Sequence, residues 1–320
     1  IEIAKKADVI VVAPATANIL AKIALGISSD PIVGSILATK APILIAPAMD
    51  GDMYSSKQIQ GHINEINNLG YKISGPEKGR LASGIEEFGR MTEPESLLDE
   101  IINIFQKKKD YNQVEAIVTA GGTIEDIDPV RYISNKSSGK MGIALAKALR
   151  DRGAVVNLVY GRVDSLEETY GINKIPTKSA VEMKNEIEKL IDRSQIIIMS
   201  AAVADYRVKN ISKEKIKKDN LDSIQLEKNP DILKSIDSSK IIKVGFAAES
   251  ENLLINAKKK LSSKDCKIIV ANDITLEGSG FGSDNNKAVL VDNDGEETFP
   301  LMSKNELAHK ILDRAKKFIN

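Results

Sequence analysis

Short apolar strand patterns alternate with amphipathic helix patterns along nearly the whole chain, and this alternation restricts the fold more than any other feature. The first series predicts strands at 7–13, 42–46 and 71–73 and helices that end near Gly26, Leu69 and Lys107. The second series predicts strands at 114–122, 154–160, 195–200, 241–246 and 266–270, helices at 139–152, 180–193 and 252–261, a hairpin at 287–299 and a closing helix at 303–318. Strands that alternate with helices form parallel sheets covered on both faces. The sequence therefore predicts an α/β protein with two doubly wound, Rossmann-like parallel-sheet domains.

A polar stretch, Lys107-Lys-Lys-Asp-Tyr-Asn-Gln113, separates the two series. Its charge run is typical of a solvated connection between domains. We therefore predict one domain at 1–106, a linker at 107–113 and a second domain at 114–320. Within the second domain, the lysine-rich interval 205–240 has no long apolar run, which indicates a functional flap or a disordered segment.

Composition excludes several classes of protein. The 320 residues carry 45 basic and 45 acidic side chains, so no global field attracts nucleic acid or anionic lipid, and an anion site has to be local. One cysteine and two histidines are too few for an internal disulfide, a cysteine zinc cluster or a histidine metal site. No apolar run is long enough to span a bilayer and the start lacks a signal-peptide layout, which predicts a cytoplasmic protein. The first strand pattern follows Ile1 almost at once, so we interpret the chain as truncated at its N-terminus.

The stretch from Asp128 to Gly142, DPVRYISNKSSGKMG, predicts a phosphate site. It follows a buried strand pattern and precedes an amphipathic helix, so the turn 137–139 is expected to open the helix with its N–H groups facing outward, beside Lys140. Anions bind at such helix starts. The stretch has neither the glycine spacing of a dinucleotide fingerprint nor that of a P-loop. An ordinary helix cap is the alternative interpretation.

Further candidate site residues follow the predicted strand ends, where ligands bind in open α/β sheets. They are Arg131, Asn135, Asp205, Lys215 and Phe246. Lys260 and Lys264 lie four residues apart on one predicted helix face, a spacing that lets two ammonium groups contact one polyphosphate. A solvated surface is the simpler interpretation of any one of these lysines taken alone.

The second series contains seven motifs in order: DPVRYISNKSSGKMG, SAAVADYR, EKIKK, KNPDIL, VGFAAE, IVAND and GFGSDNN. Through them the whole chain resembles the bifunctional coenzyme A biosynthesis proteins, in which phosphopantothenoylcysteine decarboxylase is fused to phosphopantothenate–cysteine ligase. The resemblance implies a ligase that uses CTP: the substrate carboxylate attacks the α-phosphate, an acyl-cytidylate and pyrophosphate form, and the amine of cysteine displaces CMP. It also implies Mg²⁺ held mainly by the CTP phosphates, small-molecule substrates and a homo-oligomer, without nucleic acid or membrane partners.

Carried over residue by residue, the resemblance assigns Asn135 to turnover of the acyl-cytidylate and Lys215 to charge stabilisation around CTP, with Arg131 as a third catalytic residue. Preorganised cations contribute most where negative charge develops during nucleotidyl transfer. The positions implied to bind the substrates or CTP are Asp50, Ser137, Ser138, Gly139, Lys140, Ser200, Ala201, Asp205, Lys215, Pro230, Asp231, Ile232, Leu233, Phe246, Lys260 and Lys264.

The first series resembles the flavin-dependent cysteine decarboxylases through APATAN at 13–18, APAMD at 46–50 and GRLASG at 79–84. The resemblance implies FMN, with contacts from Thr16, Ala17, Asn18, Ile19 and Ala48. The chain departs from the family pattern where the catalytic histidine falls ahead of Ile1, where Asp50 replaces a carboxylate-binding asparagine, and where Ser83 replaces the proton-donating cysteine. An aspartate repels the substrate carboxylate, and a hydroxyl is a much weaker acid than a thiol. We therefore expect slow decarboxylation or none.

Two alternatives stay open at this point. The strand and helix order of the second series also suits a nicotinamide-dependent oxidoreductase, although the G-x-G-x-x-G fingerprint is missing. The first series could instead be a non-catalytic module that holds flavin or assembles oligomers in support of the ligase.

Overall fold

The chain forms two compact units, Ile1–Gln106 and Lys107–Asn320. The computed structural model describes residues 1–105, 108–164, 171–217, 223–249, 251–273, 280 and 282–319. Both units are α/β, which confirms the predicted fold class. No helix within these residues is both long and apolar enough to cross a membrane.

The first unit is built on a short parallel sheet. Its helices are α1 Glu2–Lys6, α2 Ala17–Leu25, α3 Pro31–Ala38, α4 Gly51–Ser55, α5 Lys57–Asn68 and α6 Pro94–Phe105. Its strands are β1 Ile10–Ala15, β2 Ile43–Pro47, β3 Lys72–Ile73, β4 Glu77–Arg80 and β5 Glu86–Arg90. The sheet has the order β1–β2–β3, and β4 and β5 form a separate antiparallel hairpin. The sequence did not predict α3, which carries no charge to mark a polar face, or the hairpin, whose charged residues obscure the strand period.

The middle strand β2 is buried because helices cover both of its faces. Ile43 and Ile45 belong to a core that also contains side chains of α2, α3 and α5. Leu44, on the opposite face, packs in a cluster with Leu97 of α6. This double coverage explains why every residue of the strand is buried and why the run is continuously apolar.

The second unit contains a larger mixed sheet. Its strands are β6 Glu115–Ala120, β7 Ile124–Asp126, β8 Tyr132–Ser134, β9 Val155–Tyr160, β10 Ile172–Pro176, β11 Ile196–Met199, β12 Tyr206–Val208, β13 Leu226–Lys228, β14 Ile242–Glu249, β15 Ile268–Asp273, β16 Asn285–Asp292 and β17 Gly295–Ser303. Its helices are α7 Lys140–Asp151, α8 Ala180–Glu188, α9 Ile232–Ser235, α10 Leu253–Ser263 and α11 Lys304–Ala315, with 3-10 turns at Ile191–Arg193 and Lys316–Phe318.

The strand order of this sheet is β10–β9–β6–β11–β14–β15–β16–β17. The pairs from β10 to β15 are parallel, whereas β16 and β17 form an antiparallel extension at one edge. From β6 the chain first builds outward through β9 and β10, and then returns to add β11 on the other side. Ligands in such sheets bind outside the carboxyl ends of the strands at this reversal, which here lies between β6 and β11.

Helices from different parts of the chain cover the two faces. Side chains of α7 and α11 share one core with Val118 and Leu290. Side chains of α8, α9 and α10 share the other core with Ile117 and Ile197. Gly142 lets α7 lie close to β6, because a Cβ there would come within 2.6 Å of the Ala120 Cβ. The start of α7 is thereby fixed beside the carboxyl end of β6.

Within the described part of the predicted linker, 108–113, Asp110 and Tyr111 pack on the second unit, whereas the other four residues are exposed. Tyr111 is fully buried, and its hydroxyl donates a 2.6 Å hydrogen bond to the carbonyl oxygen of Leu312. Asp110 accepts a 2.8 Å hydrogen bond from Nε of Arg152, a side chain that is only 1% exposed. A buried guanidinium is stable only with acidic or acceptor partners. Lys108 and Asp110 therefore take part in an ion cluster of the second unit.

The described part of 205–240 is also more ordered than the sequence suggested. Strands β12 and β13 pair antiparallel, with Tyr206 opposite Lys228, and α9 follows them. The N–H of Ser212 donates to the carbonyl oxygen of Ile127 at 3.1 Å, which attaches this segment to the turn before β8. Alternating apolar side chains are few here, so the hairpin leaves no clear strand pattern in the sequence. Residues 218–222 of this predicted flap lie outside the described residues.

Candidate active site

A cleft of about 990 Å³ lies at the carboxyl edge of the second sheet, at the reversal of strand order. It is lined by most of the second-unit residues that the sequence predicted to bind substrates. These are Asn135, Ser137, Ser138, Gly139, Lys140, Ser200, Ala201, Asp205, Pro230, Asp231, Ile232, Leu233, Phe246, Lys260 and Lys264. The size suits a small-molecule ligand, since such sites usually occupy hundreds of cubic ångströms.

The predicted phosphate turn opens α7 within this cleft. Gly139 is the N-cap residue and has a φ of +79°, and a Cβ there would lie 2.4 Å from Cγ1 of Val163. Because glycine has no side chain to cap the helix, the first-turn N–H groups of α7 are left for a ligand. The ordinary side-chain cap, which was the alternative interpretation, is not formed at this N-cap.

Two lysines stand at this end of the cleft. Nζ of Lys140 donates to the carbonyl oxygen of Gly282 at 3.0 Å and pairs with Asp284 at 2.6 Å. Lys304, the first residue of α11, donates through Nζ to the carbonyl oxygens of Gly280 and Ser283. Burial, with a smaller contribution from the charge of Lys140, lowers the pKa of Lys304. The sequence did not indicate Lys304, because a lysine at a helix start usually extends into solvent.

The loop after β11 is bonded to the segments on either side of it. The side-chain amide of Asn135 donates to the carbonyl oxygens of Ala202 at 3.1 Å and Val203 at 3.3 Å. The N–H of Ala201 donates to Oγ1 of Thr119, on β6, at 3.0 Å. These bonds fix the SAAVAD motif across the strand reversal. None of the three bonds uses the side-chain oxygen of Asn135.

The opposite side of the cleft is formed by α10 and the KNPDIL motif. Nζ of Lys260 donates to the carbonyl oxygen of Phe246 at 2.7 Å, and Lys264 forms an ion pair with Asp231. Burial and the charge of Lys264 lower the pKa of Lys260. Burial alone would raise the pKa of Asp231, but the hydrogen bond from Lys264 lowers it. Both lysines therefore have protein partners here, which differs from the predicted pair of ammonium groups directed together at one polyphosphate.

Two of the three catalytic residues predicted in the second unit are outside the cleft lining. Arg131 donates to Asp128 through Nε at 3.0 Å, and its guanidinium also donates to the carbonyl oxygen of Ile216 at 2.9 Å. Asp128 in turn accepts from the N–H of Ile216 at 3.2 Å, and the Arg131 hydrogen bond lowers the pKa of this carboxyl. Lys215 is exposed next to this anchor. Arg131 thus holds the segment that carries Lys215.

The cleft also contains residues that the sequence analysis did not assign. They include Lys228, Asn229, Asn272, Asn286 and Lys304. Asn229 donates from its amide to the carbonyl oxygen of Ala204 at 2.9 Å. Oδ1 of Asn272 is buried without a partner in the described part of the chain, so it offers an acceptor to a ligand. The IVAND and KNPDIL motifs were the available signals for Asn272 and Asn229.

In the first unit, the predicted FMN residues follow the ends of two neighbouring strands. Thr16 caps α2, with the N–H of Ile19 donating to its hydroxyl at 3.4 Å, and Asn18 is exposed in the first turn. The N–H of Ala48 donates to the carbonyl oxygen of Ala15 at 3.0 Å, which joins the two strand ends. The exposed hydroxyl and amide at this helix start are groups that suit a flavin phosphate.

The two substituted positions of the decarboxylase pattern lie on different elements. Asp50 is the N-cap of α4 and accepts from the N–H of Asp52 at 3.3 Å. Ser83 is exposed in the turn between β4 and β5. The hairpin reaches the Asp50 turn through Gly89, because the N–H of Met49 donates to the Gly89 carbonyl at 3.0 Å. The flap and the carboxylate position are therefore connected by backbone contact.

Family profiles match both units. The profile described as flavoprotein matches residues 1–106, and the profile described as DNA/pantothenate metabolism flavoprotein C-terminal domain matches residues 111–319.

Among the described residues no group of three or more histidine, cysteine, aspartate or glutamate side chains could hold a metal ion.

Relatives and solved structures agree with these matches. The coenzyme A biosynthesis bifunctional protein CoaBC of Vibrio cholerae is 42% identical over 319 residues, which cover 98% of this chain and 79% of the relative. The CoaBC of Bacillus subtilis is 40% identical over 98% of this chain and 78% of its own length. The crystal structure of a CoaBC C-terminal domain is 33% identical, with a TM-score of 0.57, and the match covers 66% of this chain and 98% of that one. A Cab2 mutant in complex with phosphopantothenate-cysteine is 16% identical, with a TM-score of 0.53 over 71% of this chain and 96% of that one, and shares the fold.

These matches favour coenzyme A biosynthesis over the nicotinamide-dependent oxidoreductase that the strand order alone allowed, and they confirm the predicted enzyme class. The chain therefore belongs to the family of bifunctional coenzyme A biosynthesis proteins, CoaBC.

Proposed function

We propose that the second unit ligates cysteine to 4′-phosphopantothenate with CTP as the activating nucleotide. The substrate carboxylate attacks the α-phosphate of CTP and releases pyrophosphate, and the amine of cysteine then displaces CMP from the acyl-cytidylate. The observation that supports this most is the convergence of four separate motifs, SSGK, SAAVAD, KNPDIL and VGFAAE, on one cleft at the strand reversal. Each motif contributes groups that match one part of a nucleotide or an anionic substrate.

The cleft suggests how the ligands divide its two sides. The helix start at Gly139, with Lys140, presents N–H groups and a cation for phosphoryl oxygens. On the other side, Phe246 and the KNPDIL motif offer an apolar surface with fixed backbone groups for the cytosine and ribose. We expect backbone groups near Ser200 and Ala201 to select the pyrimidine. We expect Lys215, on its anchored segment, to close on the α-phosphate.

Magnesium would be bound mainly by the phosphates of CTP. The described residues contain no cluster of carboxylates that would form a dedicated site. Mg²⁺ retains water and phosphate oxygens as ligands more readily than most divalent ions, so few protein ligands are needed. The donor groups of the cleft, which are amides, lysines and backbone N–H groups, suit the phosphates rather than the metal.

For the first unit we propose FMN-dependent decarboxylation of phosphopantothenoylcysteine at a reduced rate. The exposed polar groups of Thr16 and Asn18 would hold the cofactor phosphate at the start of α2, beside Ala48. Bound FMN would supply oxidation of the substrate thiol side chain, which makes loss of carbon dioxide possible. Asp50 and Ser83 are expected to perform the carboxylate-binding and proton-donating tasks poorly, because one is anionic and the other is a weak acid.

The ligase proposal is tested by incubating the protein with 4′-phosphopantothenate, cysteine, CTP and Mg²⁺ and analysing the products by mass. Phosphopantothenoylcysteine, CMP and pyrophosphate are expected in equal amounts. A parallel reaction with ATP tests the pyrimidine preference. Equal rates with the two nucleotides, or product formation without CMP, would contradict the proposal.

A further inference from the structure

Lys304 is a buried lysine inside the candidate cleft that neither the motifs nor the proposed chemistry has assigned. The residue is 7% exposed, and it begins α11 directly after the Ser303 N-cap of the capping box. Within the described part of the chain its ammonium pairs with no carboxylate and donates instead to backbone carbonyl oxygens. Burying an ammonium group is costly, so a buried ammonium that has only carbonyl partners within the described part of the chain indicates a specific task.

The carbonyl groups that Lys304 contacts belong to the GFGSDNN motif. Besides the two bonds from Nζ, the backbone N–H of Lys304 donates to the carbonyl oxygen of Asp284 at 3.0 Å. All three bonds therefore end on residues 280 and 283–284. Lys304 fixes this part of the motif against the start of α11.

The same residues determine where Lys140 lies. Its ammonium contacts the carbonyl oxygen of Gly282 at 3.0 Å and the Asp284 carboxylate at 2.6 Å. Lys140 itself is 42% exposed in its side chain and follows Gly139 at the start of α7. A long exposed side chain has many rotamers, and its position is set by the partners that hold it. Those partners are held in turn by Lys304.

We propose that Lys304 is a positioning residue that presets Lys140, through residues 280 and 282–284, for a phosphoryl group bound at the Ser137–Gly139 turn. The inference rests on the proposed ligase function, which brings phosphoryl groups to this cleft. The group belongs either to CTP or to 4′-phosphopantothenate, and both present the same chemistry. On binding, phosphoryl oxygens replace Asp284 as the partner of Lys140, while Lys304 keeps residues 280 and 282–284 in place. Burial lowers the pKa of Lys304, which agrees with a desolvated ammonium that has dipoles rather than a charge as partners.

The test compares Lys304→Met, Lys304→Arg, Lys140→Met and the double Met variant with the wild-type protein. Lys304→Met should raise the KM of one of the two phosphorylated substrates about tenfold with kcat within about threefold, the scale of one hydrogen bond to a charged group. Which KM rises identifies the source of the phosphoryl group. Lys304→Arg should recover most of the loss, since a guanidinium also donates to two carbonyls. The double variant should cost no more than Lys140→Met, because Lys304 acts through Lys140.

Lys310→Met is the matched control, because it removes an exposed lysine from the same helix. It should leave both KM values unchanged. Unchanged KM values in Lys304→Met would overturn the inference. So would additive losses in the double variant, or a general fall of kcat and melting temperature that arginine does not restore, since these indicate a merely structural lysine.

A binding measurement separates failure of this inference from failure of the proposed function. Calorimetric titration with inorganic pyrophosphate and with 4′-phosphopantothenate needs no turnover. If the wild-type protein does not ligate but binds either anion, and Lys304→Met weakens that binding about tenfold, the function is wrong and the positioning role stands. If ligation is normal and neither anion distinguishes the variant from the wild type, the function stands and the positioning role is wrong. If the wild type neither ligates nor binds either anion, both are wrong.

Discussion

The two units differ in how their candidate sites are held. In the second unit the polar site residues bond to backbone groups of other segments: Asn135 to the loop after β11, Lys260 to β14, and Lys304 to the GFGSDNN motif. In the first unit Thr16 and Asp50 bond only within their own helix starts, and Ser83 is exposed in a hairpin turn. Bonds between segments fix side chains before the ligand arrives, which is where electrostatic catalysis gains most. The ligase site is therefore the preorganised one.

The chemistry of the residues shows the same contrast. The second unit keeps an unbroken series of motifs around its cleft, whereas the first departs at the two positions expected to bind a carboxylate and to donate a proton. The difference predicts that ligation slows strongly when a cation that acts on the reacting phosphate is removed, and that decarboxylation improves when the missing groups are restored. The predictions below test each side of this comparison.

The largest effect is expected for Lys215→Gln. Removal of one charge-stabilising donor costs about 10²- to 10³-fold in kcat, so formation of the acyl-cytidylate should slow by at least about 10²-fold. Carbon dioxide release from supplied phosphopantothenoylcysteine should be unchanged, because that reaction belongs to the first unit. Lys213→Gln, an exposed lysine of the same segment, is the control and should ligate normally. Quenched-flow measurement of pyrophosphate and CMP gives the rates of the first and second half-reactions. A fall in the first rate of less than tenfold would argue against Lys215 in the charge-stabilising role.

Asn135→Asp is expected to block the second half-reaction instead of the first. The new carboxylate repels an anionic adduct, and it also lacks the N–H group that donates to Ala202 and Val203. The acyl-cytidylate should accumulate and be recovered by acid quenching. Recovery of the intermediate from Lys215→Gln but not from Asn135→Asp would reverse the division of roles between these residues.

On the other side of the comparison, Ser83→Cys should accelerate decarboxylation by about 10²-fold, which is the usual contribution of a positioned general acid. The wild-type chain should release carbon dioxide slowly or not at all, with or without added FMN. Ligation measured in the same preparation is the internal control and should not change. Wild-type turnover near one per second that Ser83→Cys leaves unaltered would show that serine or another flap group donates the proton.

The sequence was sufficient for the features that repeat or that form long periodic elements. The strand pattern before Gly121 and the amphipathic pattern after Gly139 predicted β6 and α7 within about two residues, and the motif positions predicted most of the cleft lining. The predictions of β6 and α7 agree with the structure because burial of one helix face, or of a whole strand, produces a regular pattern of apolar residues in the sequence. The positions of the motifs at strand ends then follow from the parallel sheet.

The failures have a common physical cause, which is that charged residues buried by tertiary partners look solvated in a sequence. The run at 107–113 was interpreted as a solvated linker because its most visible property is charge, although Tyr111 is buried and Asp110 pairs with the buried Arg152. Lys304 was missed for the same reason. The pair Lys260 and Lys264 was correctly placed in the cleft, but its protein partners come from segments far away in the chain.

The buried charge cluster offers a test of the framework of the second unit. Arg152→Met leaves Asp110 and Asp313 without the guanidinium that contacts both, at 2.9 Å in the case of Asp313. Loss of one partner from a buried pair costs about 3 kcal/mol or more. In Arg152→Met, the denaturant midpoint of the second unit, monitored by CTP binding, should fall accordingly. The midpoint of the first unit, monitored by flavin fluorescence, should not change. Arg193→Met, which breaks a more exposed pair with Glu115, is the control and should cost below about 1 kcal/mol. Equal shifts of the two signals would show that the effect is not confined to the second unit.

The smallest expected effect is on the stability of the second unit at acidic pH. It is tested with substitutions outside the candidate sites. Burial alone would raise the pKa of Asp110, but the hydrogen bonds and charge of Arg152 lower it to about 2, below its ordinary value of 3.8. The ionised carboxylate therefore stabilises the folded second unit above about pH 4, and this stabilisation is lost as the pH falls from 4 toward 2. Asp110→Asn should lower stability at pH 7 and flatten its decline over that interval, whereas Asp192→Asn, at an exposed ion pair, should leave the curve unchanged. Thermal melts between pH 2 and 7 measure how steeply stability falls with pH. The transition that CTP shifts identifies the second unit. If stability of Asp110→Asn falls as steeply with pH as that of the wild type, other carboxyls cause the acid sensitivity of this unit. The cluster around Arg152 would then not need the charge of Asp110.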